Sequence, residues 1–211
     1  MNKVPPPSRS AAPTAAASAI LDVAEQLAQT RGYNGFSYAD IAAQLRVTKA
    51  SLHYHFPSKA ELGRALIERY CGIFGAALEE IDKHTREPRE KLKKYVGLYN
   101  SVLSNDRMCL CGMLAAEHTT LPQPMQEGLK LFFDANERWL TSVLAEGHRS
   151  GVLRFTESAK ERARVLLGAL EGAMLVARSY GNPQRFQAAA AYVLADLGAY
   201  GHGPARRAKK G

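Results

Sequence analysis

The chain has 211 residues, 46% of them hydrophobic, with 28 Lys+Arg against 20 Asp+Glu for a formal net charge of +8. That length suits one compact body or two modest domains; there is enough apolar content for a core, and no apolar run reaches membrane-spanning length. Lys3, Arg9, Arg206, Arg207, Lys209 and Lys210 sit in ends free of acidic residues. Setting those six aside leaves 22 basic against 20 acidic side chains, so the body is nearly neutral and any affinity for nucleic acid depends on where its charges sit.

Residues 1–13 are rich in Pro, Ala and Ser and lack the apolar stretch of an export signal, so they are expected to be disordered and the protein cytoplasmic. A first helix is predicted from Thr14 to Arg31, burying Ile20, Leu21, Ala24, Leu27 and Ala28 and stopping at Gly32. Ser37 with Asp40 three residues on makes a capping box ahead of the apolar Ile41, Ala42 and Leu45. Arg46-Val47 forms a turn, and the Thr48 hydroxyl caps the next helix. Two short helices joined this tightly cross steeply, which leaves the second one projecting. On it Leu52 points back into the core, while Lys49, Ala50, Ser51 and His53 point outward. That face is small, polar and cationic, as a helix entering the major groove requires. Tyr54 and His55 end the helix and Pro57 stops it. Ser58-Lys59-Ala60-Glu61 is a second capping box, whose lysine at a helix N-terminus suits a phosphate oxygen. The same geometry also occurs in ordinary helical domains, where Tyr54 and His55 would be packing residues.

The fourth helix is expected from Ser58 to about His84, followed by a break at Arg86 to Pro88. A fifth runs from Arg89 to Ser104 with Leu92, Tyr95, Val96, Tyr99 and Leu103 at helical spacing. Leu110 to His118 reads as a short buried helix closed by Thr119-Thr120-Leu121-Pro122. Gln123 to Ser150 is a long amphipathic helix carrying Phe132, Phe133, Trp139, Leu140 and Leu144. Helices from Ser158 to Tyr180 and Pro183 to Tyr200 flank Gly181-Asn182. No strand-like alternation is present, so the expected class is all-α. Leu166, Leu170, Ala173, Met174 and Ala177 make a stripe beside the thin Gly168 and Gly172, and the last helix is alanine-rich from Ala188 to Ala191. This is more apolar surface than one side of a small domain needs. It reads as half of a four-helix dimer interface, against the plainer reading that both helices complete the core of one protomer.

From about Ile20 to Tyr70 the chain resembles the N-terminal domain of the TetR family of transcriptional repressors. The likeness is carried by Ala24-Glu25-Gln26-Leu27, Gly32-Tyr33, Gly35-Phe36-Ser37-Tyr38, Ile41-Ala42 and Val47 through Leu62, about a quarter of the chain. The resemblance implies base-reading or near-base positions at Lys49, Ala50 and His53. It implies mostly phosphate-side positions at Ser37, Tyr38, Ser51, Tyr54, His55 and Lys59. His53 stands where many members carry tyrosine, so the base contacts do not transfer directly, and Ala50 offers only a methyl group. The resemblance further implies a homodimer pairing through the C-terminal helices, double-stranded DNA as partner, a near-palindromic operator and release by a small-molecule effector. The organisation expected is a helix-turn-helix unit over 14–60, an effector-binding and dimerisation domain over 61–201 and a basic tail over 202–211. The two basic ends either add salt-sensitive attraction to DNA or act as solubilising ends.

Cys71, Cys109 and Cys111 are three thiols in a chain without an export signal, so a disulfide scaffold is not expected. The segment Arg107 to Glu117 resembles the sixth-helix region of a TetR subgroup that includes N-ethylmaleimide-responsive, electrophile-sensing repressors. Cys109 matches that subgroup's cysteine, and Leu114, Ala116 and Glu117 match its tail. A thiol at a helix start beside Arg107 is expected to have a lowered pKa and to react with electrophiles; the bland alternative is a small packed cysteine. Convergence of Cys109, Cys111 and His118 on a metal is a weaker option, because Cys-x-Cys is tight for two ligands on one helix. For a ligand pocket between helices the candidates are Tyr99, Met113, Phe133, Trp139 and Glu117, with Tyr95, Phe132, Met174 and Arg178 beside them. Each of these is also an ordinary core or surface residue. No phosphate loop, dinucleotide glycine motif or H-E-x-x-H is present, and Gly147 to Gly151 only faintly resembles a nucleophile elbow. No enzyme and no cofactor are expected.

Overall fold

A computed structural model describes residues 14–199, and in them the chain is α-helical with no strand. The expectations for residues 1–13 and 202–211, and for Tyr200 as the end of the last helix, lie outside the described residues. The helices are α1 (Ala15–Arg31), α2 (Tyr38–Leu45), α3 (Lys49–His55), α4 (Lys59–His84), α5 (Pro88–Leu103), α6 (Leu110–Ala116), α7 (Gln123–Arg149), α8 (Ala159–Ser179) and α9 (Pro183–Ala199). α6 ends two residues before the predicted His118, and a 3-10 turn, His118–Thr120, tightens the chain after it.

Local signals account for most of these boundaries. Thr14 caps α1 by accepting from Ala17, and Gly32, at φ 81°, ends it. Ser37 and Asp40 close a reciprocal capping box at α2, and Arg46 in the left-handed region (φ 56°) turns the chain toward α3. Thr48 accepts from Ser51 at 3.3 Å to start α3. At α4 only half of the predicted box is made: Ser58 accepts from Glu61 at 3.2 Å, while the Glu61 side chain does not reach back.

α1, α2 and α3 pack as a small head whose core includes Leu27, Ile41 and Leu52, all close to fully buried. α4 joins it from below: Arg69 pairs with Asp22 and Glu25 of α1, both at 2.7 Å. The rest of α4 runs into a second cluster formed with α5 and α7. There Phe74 lies 5.2 Å from Phe132, and Tyr70 lies 5.6 Å from the same ring. α8 packs on α7 and α9.

The apolar stripe singled out on α8 faces inward. Leu166, Leu170, Met174 and Ala177 are buried within the protomer, so they complete its own core. The face left without a partner among the described residues is the adjoining one: Val165, Gly168, Gly172, Leu175 and Val176 on α8 with Tyr180 just past its end, beside Tyr192 on α9. Stripe and outer face are neighbours on one helix, so periodicity alone cannot tell which of the two meets the rest of the chain.

Leu52 is the single side chain that ties α3 into the core. Leu52→Ala is expected to cost about 2–5 kcal/mol of stability. Chemical denaturation followed by helical signal checks this, and a loss below about 1 kcal/mol would show that α3 is held otherwise.

Candidate nucleic-acid interface

α3 presents Lys49, Ala50, Ser51, His53 and Tyr54 to solvent, the last at 84% exposure, while Thr48 caps its start. His53 rests on the Tyr38 ring with centroids 4.6 Å apart, and its Nδ1 lies 3.1 Å from the Pro57 carbonyl oxygen. A carbonyl only accepts, so Nδ1 carries the hydrogen and Nε2 is the atom free to face a base. His55 is half-buried, edge-on to Tyr54 with centroids 5.1 Å apart.

Two residues expected on the phosphate side are instead struts. Tyr38 is buried, and its hydroxyl donates to the Phe56 carbonyl at 2.7 Å; burial, with Tyr33 and Glu61 adding, pushes its pKa up to about 12. The Lys59 ammonium turns inward, donating to the carbonyls of Tyr33 and Phe36 and sitting 4.4 Å above both rings. Burial lowers its pKa, partly offset by Glu117 and Asp40. Its charge holds the Gly32–Ser37 loop. Ser37 remains exposed, but its hydroxyl donates to Asp40 at 2.7 Å, within the cap.

Glu117, expected as an effector residue, is a clamp between body and head. Its carboxylate accepts from the backbone N–H of Tyr33 at 2.5 Å and of Asn34 at 3.3 Å. Asn34 adds a side-chain bond to Thr120 at 2.8 Å. Any Cβ at Gly32 would meet the Glu117 carboxylate, a second reason for glycine there besides its positive φ. A parallel clamp comes from α8, where Arg178 donates to the carbonyls of Gln29 and Thr30 at the end of α1 and to the Met113 sulfur at 3.3 Å. Lysine or arginine at those carbonyls also complements the negative end of the α1 dipole.

The other expected effector residues lie behind these clamps. Cys109 is buried, with the Tyr70 hydroxyl at 3.7 Å from its Sγ. Burial and the neighbouring Glu171 push its thiol well above the usual range, so the expectation of a lowered pKa is overturned. Arg107 does not act on it; desolvation in the packed core outweighs the helix start. Cys111 is buried too and also raised, and it hydrogen-bonds Cys71 of α4, whose half-exposed thiol is lowered by that bond. Cys109, Cys111 and His118 do not converge, and among the described residues no three His, Cys, Asp or Glu groups gather as a metal site would require. Tyr99 is buried beside Tyr95, and Trp139 stacks on Tyr95 while donating to Asp82 at 2.8 Å. Of the expected set, Phe132 lines a cleft against α4, and Phe133 lines another shared with Gly112 of α6 and Glu171 of α8. Glu171 was missed. Its one signal in the sequence is a lone acid within the apolar run from Leu166 to Met174.

Residues 20–66 match the profile of bacterial regulatory proteins of the tetR family. The fold superposes on a TetR-family transcriptional regulator from Agrobacterium tumefaciens with a TM-score of 0.84 and 34% identity, over 86% of this chain and 97% of that one. The chain belongs to the TetR family. A TetR regulator from Legionella pneumophila is similar at 32% identity and a TM-score of 0.79, covering 89% and 99% of the two chains. Among curated relatives, the transcriptional repressor NemR of Escherichia coli K12 is 25% identical over 178 residues, 82% of this chain and 89% of its own. As in other TetR-family regulators, the helix-turn-helix is the DNA-binding element, and here it is α2 and α3. No described helix is long and apolar enough to cross a membrane.

The thiol geometry sets an order of reactivity. N-ethylmaleimide at about pH 7.5 is expected to label Cys71 first and Cys109 and Cys111 slowly, read by peptide mass mapping. Modification of Cys109 ahead of Cys71 would contradict the burial described.

Proposed function

We propose that this TetR-family protein is a repressor that occupies a near-palindromic operator as a homodimer in the cytoplasm, and that it performs no catalysis. Residues 14–60 form its reading head, and 61–201, of which 200 and 201 lie outside the described residues, hold the effector and the dimer contacts. The observation that carries the reading is the bare face of α3, anchored by Leu52 alone and backed by the Tyr38 strut. Set into the major groove, Lys49 reaches guanine O6 and N7, and the Ala50 methyl meets a thymine methyl. His53 offers Nε2 as an acceptor to an exocyclic amino group of adenine or cytosine. Ser51, Tyr54 and His55 flank the groove toward the phosphates, joined by the backbone N–H group at Thr48.

The unpartnered face of α8 and α9 supports pairing of two copies. Small Gly168 and Gly172 let backbones approach, and Val165, Val176, Tyr180 and Tyr192 supply area that a lone protomer leaves wet. Release is mechanical. An effector that separates α6 from α8 pulls on Glu117 and Arg178 together, and through them on the end of α1 and the loop into α2. The two heads must match the fixed groove spacing of the duplex, so a shift of a few Å weakens simultaneous binding.

Selection of bound fragments from a random duplex pool tests the reading directly. The full chain is expected to enrich an inverted repeat and to lose affinity steeply with salt. Lys49→Ala is expected to cost about 1–3 kcal/mol and to relax preference at one position of each half-site. Enrichment without sequence preference, or an unchanged motif in the variant, would overturn the reading.

A further inference from the structure

Glu171 is an anomaly of the helical body. Both of its carboxylate oxygens are shut off from solvent, and neither accepts a hydrogen bond of ordinary geometry. Its stem remains partly exposed, so the head alone is taken from water. The nearby hydroxyl hydrogens have competing acceptors. Asn136 Nδ2 donates to the Phe132 carbonyl at 2.9 Å, which leaves Oδ1 as the acceptor for Tyr95 at 2.9 Å. With Tyr95 so committed, its contact with Tyr99 at 3.1 Å competes for the Tyr99 hydrogen. Beside Glu171 stand the weak S–H of Cys109 and the Tyr99 hydroxyl, whose one hydrogen cannot serve both the carboxyl and Tyr95. A buried carboxyl left in this state costs stability and calls for a reason outside the fold.

The surroundings supply one. Glu171 lines a cleft of about 400 Å³ between α6, α7 and α8, walled by Phe133, Leu167, Leu175 and Ala115. Gly112 makes room for the carboxylate beside it: any Cβ there would overlap Glu171 Oε2. The cation at the rim, Arg164, is 56% exposed and taken by Glu137 at 3.2 Å, so it does not neutralise the floor. We propose that this cleft is the effector site, and that it takes a small organic cation, a protonated amine on a short apolar body, with Glu171 as its anchor. The proposal rests on the repressor reading above and adds the ligand's chemical class. The amine supplies the N–H donors and the charge that the carboxyl lacks, and the Phe133 ring offers a π face. Gly168 and Leu175 belong both to the cleft and to the face assigned to the dimer, so a second copy roofs the site. Arg178 lies two turns along α8 from Glu171, and Glu117 lies just past the end of α6 from Gly112. An occupant between the two helices therefore bears on both clamps.

Protonation gives the proposal a second handle. Burial raises Glu171 to about 7, and a cation requires the ionised form. The groups facing it are Tyr95 and Tyr99 of α5, Cys109 and Cys111 around α6, Glu137 of α7 and Arg164 of α8. The four buried hydroxyls and thiols are raised away from neutrality and stay uncharged. Amine affinity therefore rises with pH through neutrality, by roughly tenfold between about pH 6 and about pH 8.

The test uses the full chain and Glu171→Gln, an isosteric change that removes a buried charge and so keeps the fold. Phenethylamine, neutral 2-phenylethanol and anionic phenylacetate are titrated by calorimetry against both proteins, and both are assayed on the selected operator. The wild type is expected to prefer phenethylamine at least tenfold over the alcohol, more strongly at the higher pH, and to release DNA with it. Glu171→Gln is expected to lose the preference and its pH dependence while still binding DNA. An amine bound no better than the alcohol, or a preference kept by Glu171→Gln, overturns the ligand class and leaves the repressor reading intact. Failure of both proteins to bind any duplex selectively overturns the repressor reading itself.

Discussion

The carboxylate of Glu117 is the contact on which the rest of the molecule turns. It accepts two consecutive backbone N–H groups, those of Tyr33 and Asn34, across more than eighty residues of sequence. Hydrogen bonds to a charged acceptor are the strong kind, and two N–H groups presented by one turn fix its orientation as well as its position. The same turn is held from its other side by Lys59, whose ammonium takes the Tyr33 and Phe36 carbonyls. One short loop is thus gripped by a body residue and by the first residue of α4. The recognition helix hangs from that loop through α2.

A repressor needs its head neither loose nor welded. Welding would come from a broad apolar interface between head and body, which transmits little and switches poorly. Here the junction away from α4 is made largely by directional bonds at the end of α1 and the turn after it, from Glu117, Arg178 and the Met108 N–H to Gln29 at 3.3 Å. Bonds of this kind lose much of their strength over a displacement of less than 1 Å, so a small motion of α6 against α8 is enough to change them. The aromatic cluster around Phe74 and Phe132 stays rigid behind, giving the motion something to push against.

Much of this architecture was legible in the sequence because its signals are local. Ser37 with Asp40, Thr48, Gly32 and Pro57 each act within four residues, and the helical spacing of Leu92, Tyr95 and Tyr99 states which face is covered. What was not legible depends on partners far along the chain. Lys59 stands where a phosphate contact is expected, yet the carbonyls of a loop more than twenty residues earlier claim its ammonium. Cys109 has the neighbours of a reactive thiol in sequence and those of an inert one in space, since desolvation in the core, with Glu171 adding, outweighs the helix start and Arg107 does not act on it. Glu117 is expected at an effector site because it closes the segment that resembles the electrophile-sensing subgroup, and only the fold reveals that it reaches Tyr33. The α8 stripe was assigned to the wrong surface for a related reason: two adjacent apolar faces on one helix carry the same period.

The operator affinity of Glu117→Ala measures the central claim most directly, because Glu117 lies on the body and away from the reading face of α3. If the clamp positions the head, the variant binds its operator about tenfold more weakly or worse, with its salt dependence and preferred sequence retained. An affinity equal to that of the wild type would contradict the account.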